Sequence, residues 1–416
     1  MFDWIVIAAQ ILLVLVGGYQ LLLSFFGWRL PKKESEKQFE PQKSFAVLVA
    51  AHNEEAVVGA LIENLKQLNY PKNLYDVFVI CDNCTDGTAD VTRALGAQAM
   101  ERNVPNLRGK GYAIEWMLKK LWKMPRSYDG VVILDADNLV HEDYLSEMNN
   151  DLCRGSRVIQ AYLDTKNPED SWITAAYGVT YWYCNRLWQM PRRNLKMANF
   201  LGGTGMCFES QLLKEMGWGA TSLVEDLEFT MRCVERGIYP TFNYNARVYD
   251  EKPLTFKASA RQRLRWMQGH FDVARRYFFP LLWKGLKEGS WTKIDTAVYS
   301  VNVYNVLLGF IFTAILWGDI IIHGGTQTLT SLYDFVPTWM SGVFTLVIYA
   351  LFPLALLIEG VRSWKMYASL ITYPLFLLSW YPITLYAFFT QNNKQWSHTQ
   401  HTRVIRLEDI HSKQVS

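Results

Sequence analysis

Residues 131–138 read VVILDADN, four apolar residues followed by two aspartates one residue apart. An apolar run of this length, rich in β-branched side chains and closed by polar residues, predicts a buried strand. The carboxylates behind it are either an ordinary acidic turn or a grip for a metal ion at the edge of a sheet, and the neighbouring segments bear on the choice. Residues 45–50 (FAVLVA) and 77–81 (VFVIC) are further buried-strand runs. Residues 54–68 carry apolar positions at helical spacing, and 88–95 and 112–121 also read as helices. Strands alternating with helices predict an α/β domain with a mostly parallel sheet and flanking helices. In such sheets ligands collect at the carboxyl ends of the strands. That is where His52, Asn53, Glu54 and Glu55, then Asp82 and Asn83, then Asp135 and Asp137 fall. One shared pocket accounts for all three ends, with Mg2+ or Mn2+ held by one or two carboxylates and completed by substrate phosphates.

At 416 residues, half of them hydrophobic and 14% aromatic, the chain holds more apolar material than one soluble core needs. The excess concentrates in residues 4–26, 297–322, 339–358 and 366–389. Each run is long enough for a membrane span, which takes roughly 20 helical residues. The predicted organisation is therefore a transmembrane helix within 1–28, a cytoplasmic domain over 40–255, amphipathic interface helices over 256–290, about three transmembrane helices over 291–390 and a polar tail over 391–416. No basic residue precedes the first run, which argues against a cleaved signal peptide, and Arg29, Lys32 and Lys33 behind it place the large domain in the cytoplasm. Net charge is only +3, and no basic block with interleaved aromatics suggests nucleic acid. Cys81 and Cys84 form a C-x-x-C with no second pair at zinc-finger spacing.

The segments VLVAAHNEE, VICDNCTDGTAD, RGKGYA, ILDADN, LGGTGMCF, LVEDLEFTMRC and RQRLRWMQGH occur in the order found in membrane-bound inverting glycosyltransferases of family 2. The chain resembles the group that includes hyaluronan, chitin, cellulose and poly-N-acetylglucosamine synthases. By motif the resemblance covers about residues 45–275, and it implies a GT-A-like domain. It further implies that Asn53, Glu54 and Asp82 hold the uridine and ribose of a UDP-sugar, that Lys110 sits near its diphosphate, and that Asp135 and Asp137 are the D-x-D pair, with Asp137 reaching the metal. Many relatives carry two acidic residues where this chain has Asp82 followed by Asn83.

Inverting transfer needs a base for the attacking hydroxyl while the departing diphosphate is stabilised. Glu225-Asp226 fits the family's E-D motif, with Asp226 the candidate base, although acidic residues also favour a helix N-terminus for electrostatic reasons. Glycines let backbone approach a bulky ligand, and Gly203, Thr204 and Gly205 of the loop beginning at Gly202 line the acceptor side in the family. Gln262, Arg265 and Trp266 make the Q-x-x-R-W pattern and share one helical face. On that face Gln262 and Arg265 serve the donor diphosphate and Trp266 offers a platform to the acceptor sugar. Arg261, Arg263, Arg275 and Arg276 with nearby aromatics equally describe a basic amphipathic helix at a membrane surface.

Loop charges put residues 323–338 outside and 359–365, with Arg362 and Lys365, inside. Simple alternation then places the tail outside, against its Lys394, Arg403, Arg406 and Lys413. Pro374 and Pro382 interrupt the last run, so it reads as broken or re-entrant and the tail as cytoplasmic. Trp396, Thr399 and His401 resemble a segment that lies over the donor site in some relatives. The function expected is processive extension of a polysaccharide from a UDP-sugar, with the nascent polymer and the lipid bilayer as partners. The rivals are transfer of a single sugar to a membrane lipid and a non-enzymatic transporter, against which the scarcity of charges inside the apolar runs argues. The identity of the sugar and any accessory subunit are not legible in these residues.

Overall fold

The computed structural model of the chain describes residues 2–29, 38–219, 221–323, 338–393, 403 and 405–410. Helix α1 (Phe2–Ser24) leads into β1 (Phe45–Ala51), α2 (Val58–Lys66), β2 (Tyr75–Asp82), α3 (Thr88–Ala94), β3 (Gln98–Arg102), α4 (Lys110–Leu121) and β4 (Gly130–Asp135). Then come β5 (Leu139–Val140), α5 (Tyr144–Cys153), β6 (Val158–Thr165), α6 (Trp172–Cys184), α7 (Met190–Asn194), β7 (Met206–Glu209), α8 (Ser210–Met216), α9 (Glu225–Glu235) and β8 (Thr241–Asp250). The chain continues through α10 (Phe256–Glu288), α11 (Trp291–Ser300), α12 (Asn302–His323), α13 (Thr338–Ile358), α14 (Trp364–Ser369), α15 (Tyr373–Leu378) and α16 (Trp380–Thr390).

The eight strands form one sheet in the order β3-β2-β1-β4-β7-β6-β8-β5. The first four are parallel, as alternating strand and helix signals require. Beyond β4 the expectation of a mostly parallel sheet is corrected: β7 runs antiparallel to both β4 and β6, and β5 antiparallel to β8, so the sheet is mixed. β7 follows α6, α7 and the Gly202–Gly205 loop and enters the sheet between β4 and β6, antiparallel to both. The register sets Ala50 beside Asp135 and Asp82 beside Arg102, so the carboxyl ends of β1 to β4 open on one edge. Residues 45–49 and 131–134 are sealed on both faces, by α2, α3 and α5 on one side and by α4, α8 and α9 on the other. Residues 54–57, expected as the first turn of a helix, are a loop, because Asn53 takes a left-handed conformation (φ 56°) and turns the chain before α2 starts.

The expected interface helices are a single helix, α10, of 33 residues. Arg263, read from sequence as part of a basic surface, is fully buried: its Nη1 donates to Ser379 Oγ at 2.8 Å, and its guanidinium lies 4.4 Å from the Phe376 ring and 5.0 Å from that of Trp380. The last apolar run is not one continuous helix. It is divided into α14, α15 and α16, with Pro374 and Pro382 in the first turns of α15 and α16, where a missing N–H costs little. Helix α16 runs alongside α10: Ser379 meets Arg263, the Phe388 and Phe271 rings lie 5.5 Å apart, and Thr390 O accepts from Gln268 Nε2 at 3.0 Å. Among the described residues one helix, Val6–Gly27, is by itself long and apolar enough to cross a membrane; Trp291–Ser300 and Asn302–Ile315 pass the same test only as a pair bent by 50°.

Two buried ion pairs tie these helices to the segment between β6 and β7. Glu359, just past α13, accepts from Arg186 at 2.6 Å, from Tyr162 at 2.7 Å and from Tyr244 at 3.0 Å. Asp295 on α11 accepts from Arg192 at 2.8 Å and from Tyr19 of α1 at 2.9 Å. Ile410 is buried against Leu139 and Tyr249, so the described tail residues pack on the same unit as the sheet. Lys32, Lys33, Trp396, Thr399 and His401 lie outside the described residues.

Candidate active site

The end of β4 carries the D-x-D pair into a tight turn. Asp135 N donates to Asn138 Oδ1 at 3.0 Å and to Thr204 Oγ1 at 3.1 Å, and Thr204 donates in turn to Asn138. Thr204 thus ties the glycine loop to the aspartate turn. Asp137 is buried; its Oδ2 accepts from Glu251 N at 3.0 Å and its Oδ1 from Asn138 Nδ2 at 3.3 Å. Asp135 is more open, with 39% of its side chain exposed, and pairs with Lys110 Nζ at 2.5 Å.

Lys110 starts α4 and is the hub of the edge. Its Nζ also donates to Gly203 O at 2.5 Å. Burial disfavours its charge, but Asp135, Glu225 and Asp226 outweigh that and raise its pKa. The glycine loop closes over it. Gly203 has φ 85°, and a Cβ there would lie 3.3 Å from Asp226 Oδ2, so only glycine brings this backbone so near the carboxylate without strain.

Glu225 and Asp226 form the first turn of α9. Both are half-buried, and desolvation by the surrounding protein is the main cause of their raised pKa values. Glu225 is pushed up to about 7 by burial and by the neighbouring Asp226 charge, against the opposing pull of Lys110 and Arg265. For Asp226 the N–H of Leu227 (2.8 Å) and Lys110 oppose the rise. A carboxylate whose proton affinity is raised this way is suited to accept a proton near neutral pH. Helix α10 fixes the pair from outside: Gly269 lies against Val224, and its carbonyl accepts from Ser222 Oγ at 3.2 Å.

The Q-x-x-R-W residues face this edge from α10. Tyr177 of α6 joins two of them, donating to Gln262 Oε1 at 3.0 Å and meeting the Trp266 ring edge-on at 6.3 Å. Trp266 also stacks at 6.5 Å on Trp380 of α16. Arg265 acts on Glu225 electrostatically. The remaining expected residues sit at the ends of β1 and β2. Asn53 Oδ1 accepts from Thr85 N at 2.8 Å, and Glu54, which is buried, donates its N–H to Thr88 Oγ1 at 2.9 Å. Asp82 is buried in an ion pair with Arg102 and accepts from Asn83 Nδ2 at 2.8 Å. One edge therefore brings together Lys110, Asp135, Asp137, the Gly203–Gly205 loop, Glu225 and Asp226, with Asn53, Glu54 and Asp82 on the adjoining strand ends and Gln262, Arg265 and Trp266 across from them.

Sequence reasoning passed over several participants. Arg102 answers Asp82 from β3, a strand without a strong apolar signal. Gln160 of β6 braces the glycine loop, accepting from Gly202 N at 2.8 Å and donating to Thr204 O at 3.0 Å. Asp250 and Lys252 pair at 2.5 Å behind Asp137; burial raises the pKa of the first and lowers that of the second. Asp250 could have been found, since it closes an apolar, alternating stretch as Asp135 does.

The donor set suits a hard divalent ion. Two aspartates one residue apart supply oxygen ligands, and among the described residues no group of three or more His, Cys, Asp or Glu forms a complete cage. Mg2+ and Mn2+ are commonly held in that way, with phosphate oxygens finishing the shell.

A strand-end D-x-D, a half-buried acidic pair and an Arg-Trp helix on a GT-A-like mixed sheet define a glycosyltransferase. The chain belongs to the glycosyltransferase like family 2, whose match runs over residues 41–269. It is 24% identical over 372 residues to the poly-β-1,6-N-acetyl-D-glucosamine synthase of Staphylococcus epidermidis, which takes in 87% of this chain and 84% of that one. It is 27% identical over 281 residues to the β-monoglucosyldiacylglycerol synthase of a Nostoc species, taking in 62% of this chain and little more than half, 55%, of that enzyme. The mannosyltransferase PcManGT of Pyrobaculum calidifontis, solved with GDP-mannose and Mn2+, shares the fold at 15% identity, with a TM-score of 0.58 over 94% of this chain and 99% of that one.

Proposed function

We propose that the protein is an inverting, divalent-metal-dependent enzyme that extends a polysaccharide from a UDP-sugar at the cytoplasmic face of a membrane. The observation that carries this reading is the meeting of Asp226, Lys110 and Asp135 around the Gly203 backbone, where a base, a cation and a metal ligand converge on one small space.

Asn53, Glu54 and Asp82 take the nucleoside. Asp135 and Asp137 would hold Mg2+ or Mn2+, which when bound supplies Lewis-acid neutralisation of the diphosphate. Lys110 and Arg265 add positive charge beside the leaving group, and Gln262 orients it. Asp226 accepts the proton of the attacking acceptor hydroxyl, with Glu225 keeping its neighbourhood poorly hydrated and proton-affine. Gly203, Thr204 and Gly205 let the acceptor approach, and the Trp266 ring supports its terminal sugar. Trp396, Thr399 and His401 belong to this proposal as a cover for the donor.

Membrane placement is supported by apolar side chains left open on the helices outside the sheet, including Leu15, Leu22, Leu346 and Leu375, with Trp283 and Trp364 suited to the interfacial belt. With α16 lying along α10, the last apolar run adds no crossing, and the tail returns to the catalytic side. That removes the conflict between loop charges and simple alternation. Polymer extension is favoured by similarity to the N-acetylglucosamine polymer synthase over most of both chains. Transfer of one sugar to a membrane lipid is the second reading, on the likeness to the diacylglycerol glucosyltransferase. Incubating the purified protein with a panel of UDP-sugars, with and without EDTA, and sizing the product tests both. A ladder of polymer that EDTA abolishes supports the proposal; a product one sugar longer than a lipid acceptor overturns the polymerase reading, and full activity in EDTA overturns the metal.

A further inference from the structure

After β8 the chain runs through Asp250, Glu251 and Lys252, and Glu251 works in two directions. Its main-chain N–H holds Asp137 Oδ2 at 3.0 Å. Its carboxylate faces away from the aspartate turn, where Oε2 accepts from the main-chain N–H of Arg403 at 3.2 Å with Lys166 Nζ 3.9 Å away. The Arg403 peptide is gripped at its other end as well: Lys166 Nζ donates to Arg403 O at 3.4 Å, and Arg403 Nε donates to Asp170 Oδ2 at 2.8 Å. Lys166 N donates to Asp250 O at 3.0 Å, so the same lysine is pinned to the end of β8.

Seven residues on, Ile410 is buried with 6% exposure against Leu139 and Tyr249, with Ile405 and Leu407 packed on the same cluster. Leu139 and Tyr249 are cross-strand partners in the β5–β8 ladder, two residues after Asp137 and two before Glu251. That ladder is only two residues long on its β5 side, too short to hold its register unaided.

We propose that Glu251 is a positioning residue for Asp137 and that residues 403 and 405–410 are its fastener: a segment made only after all the membrane-associated helices clips the D-x-D turn into metal-binding geometry. This rests on the reading of Asp137 as a metal ligand. The apolar contacts of Ile405, Leu407 and Ile410 hold the short ladder, while the Arg403 peptide holds the Glu251 side chain and so the amide that grips Asp137. Partners one step behind a metal ligand set its orientation, and their loss typically costs about 10–100-fold in metal affinity.

The test uses the full chain in detergent and measures Mn2+ uptake by electron paramagnetic resonance in the presence of UDP, with no turnover. Glu251→Ala and Ile410→Asp are each expected to weaken Mn2+ binding by about tenfold or more, with UDP affinity in the absence of metal unchanged. Glu251→Gln should stay within about threefold of the unmodified protein, since its amide oxygen still accepts the Arg403 N–H. Arg403→Pro removes that N–H from an exposed segment and leaves the core intact, so it serves should Ile410→Asp fail to fold. Mn2+ binding equal to the unmodified protein in Glu251→Ala and Arg403→Pro overturns the inference alone. An unmodified protein that takes up no Mn2+ and transfers sugar in EDTA overturns the metal reading as well, so the two failures are distinct.

Discussion

Gly269 lies where α10 crosses the residue just before Glu225 and Asp226. In Gly269→Ala the new Cβ would stand 2.8 Å from Val224 Cγ2 and 2.9 Å from the Val224 main-chain nitrogen. Carbon contacts settle at about 3.5–4.0 Å, so the two segments must part by about 0.6 Å or more. The valine side chain can rotate, but the nitrogen cannot, and it leads directly into the first turn of α9. Overpacking of this kind costs about 1–3 kcal/mol, and alanine's better helix propensity offsets about 1 kcal/mol of it. The melting temperature should therefore fall by only a few degrees. Catalysis is more sensitive to position: a misplacement of about 1 Å can cost ~10²-fold, so a shift of half that should lower kcat by roughly tenfold. Donor KM should stay within about threefold, because the strand ends proposed to take the nucleoside are on the far side of β4. The assay is the initial rate of UDP release with a saturating donor, alongside a thermal melt. Adding Val224→Ala should restore only part of the rate, since the main-chain contact persists. A variant with a lowered melting temperature but kcat within twofold of the unmodified enzyme would refute the idea that α10 sets the position of the acidic pair.

Glu225 has a folded pKa raised from 4.5 to about 7, so its contribution to stability is fully present below about pH 4.5 and is lost as pH rises through about 7. Melting temperature should fall from pH 5 to pH 8, and Glu225→Gln should flatten that slope; an unchanged slope refutes the assignment. Asp226→Asn should lower transfer by ~10²–10⁴-fold while UDP-sugar affinity, measured by calorimetry, remains near normal. Trp266→Ala removes a platform rather than a proton acceptor, so it should shorten the product ladder while hydrolysis of the donor by water persists. Protease added to intact cells should leave residues 40–290 uncut, and cleavage there would reverse the orientation.

What the sequence made legible follows burial. Residues 45–50 and 131–134 are apolar without interruption because the sheet is covered on both faces there, and such runs announce themselves. Asp135 directly behind the second of these runs, and Asp82 behind the similar run at 77–81, are visible for the same reason. By contrast β5 is two residues long and β3 reads QAMER, so neither stands out, and Arg102 was missed as the partner of Asp82. Arg263 reads as a surface cation because periodicity records charge and spacing, whereas its neighbours Phe376 and Trp380 lie more than a hundred residues away. The breaks in the last apolar run are announced by Pro374 and Pro382, but the packing of Ser379, Phe388 and Thr390 along α10 depends on contacts that no local pattern encodes.

The Arg186–Glu359 pair has a consequence for how the chain is made. Arg186 leaves the ribosome well before its counter-ion, and at about 5–20 residues per second the wait is on the order of ten seconds or more. Throughout that interval the β6–β8 side would have to bury a guanidinium with no carboxylate to meet it, a defect worth roughly 3–5 kcal/mol. This half of the sheet is therefore expected to stay open, within reach of chaperones, until α13 has been synthesised. A soluble enzyme cut at residue 290 would carry the same defect permanently, and replacing Arg186 with an uncharged side chain of similar bulk is the alteration such an excised fragment would need first.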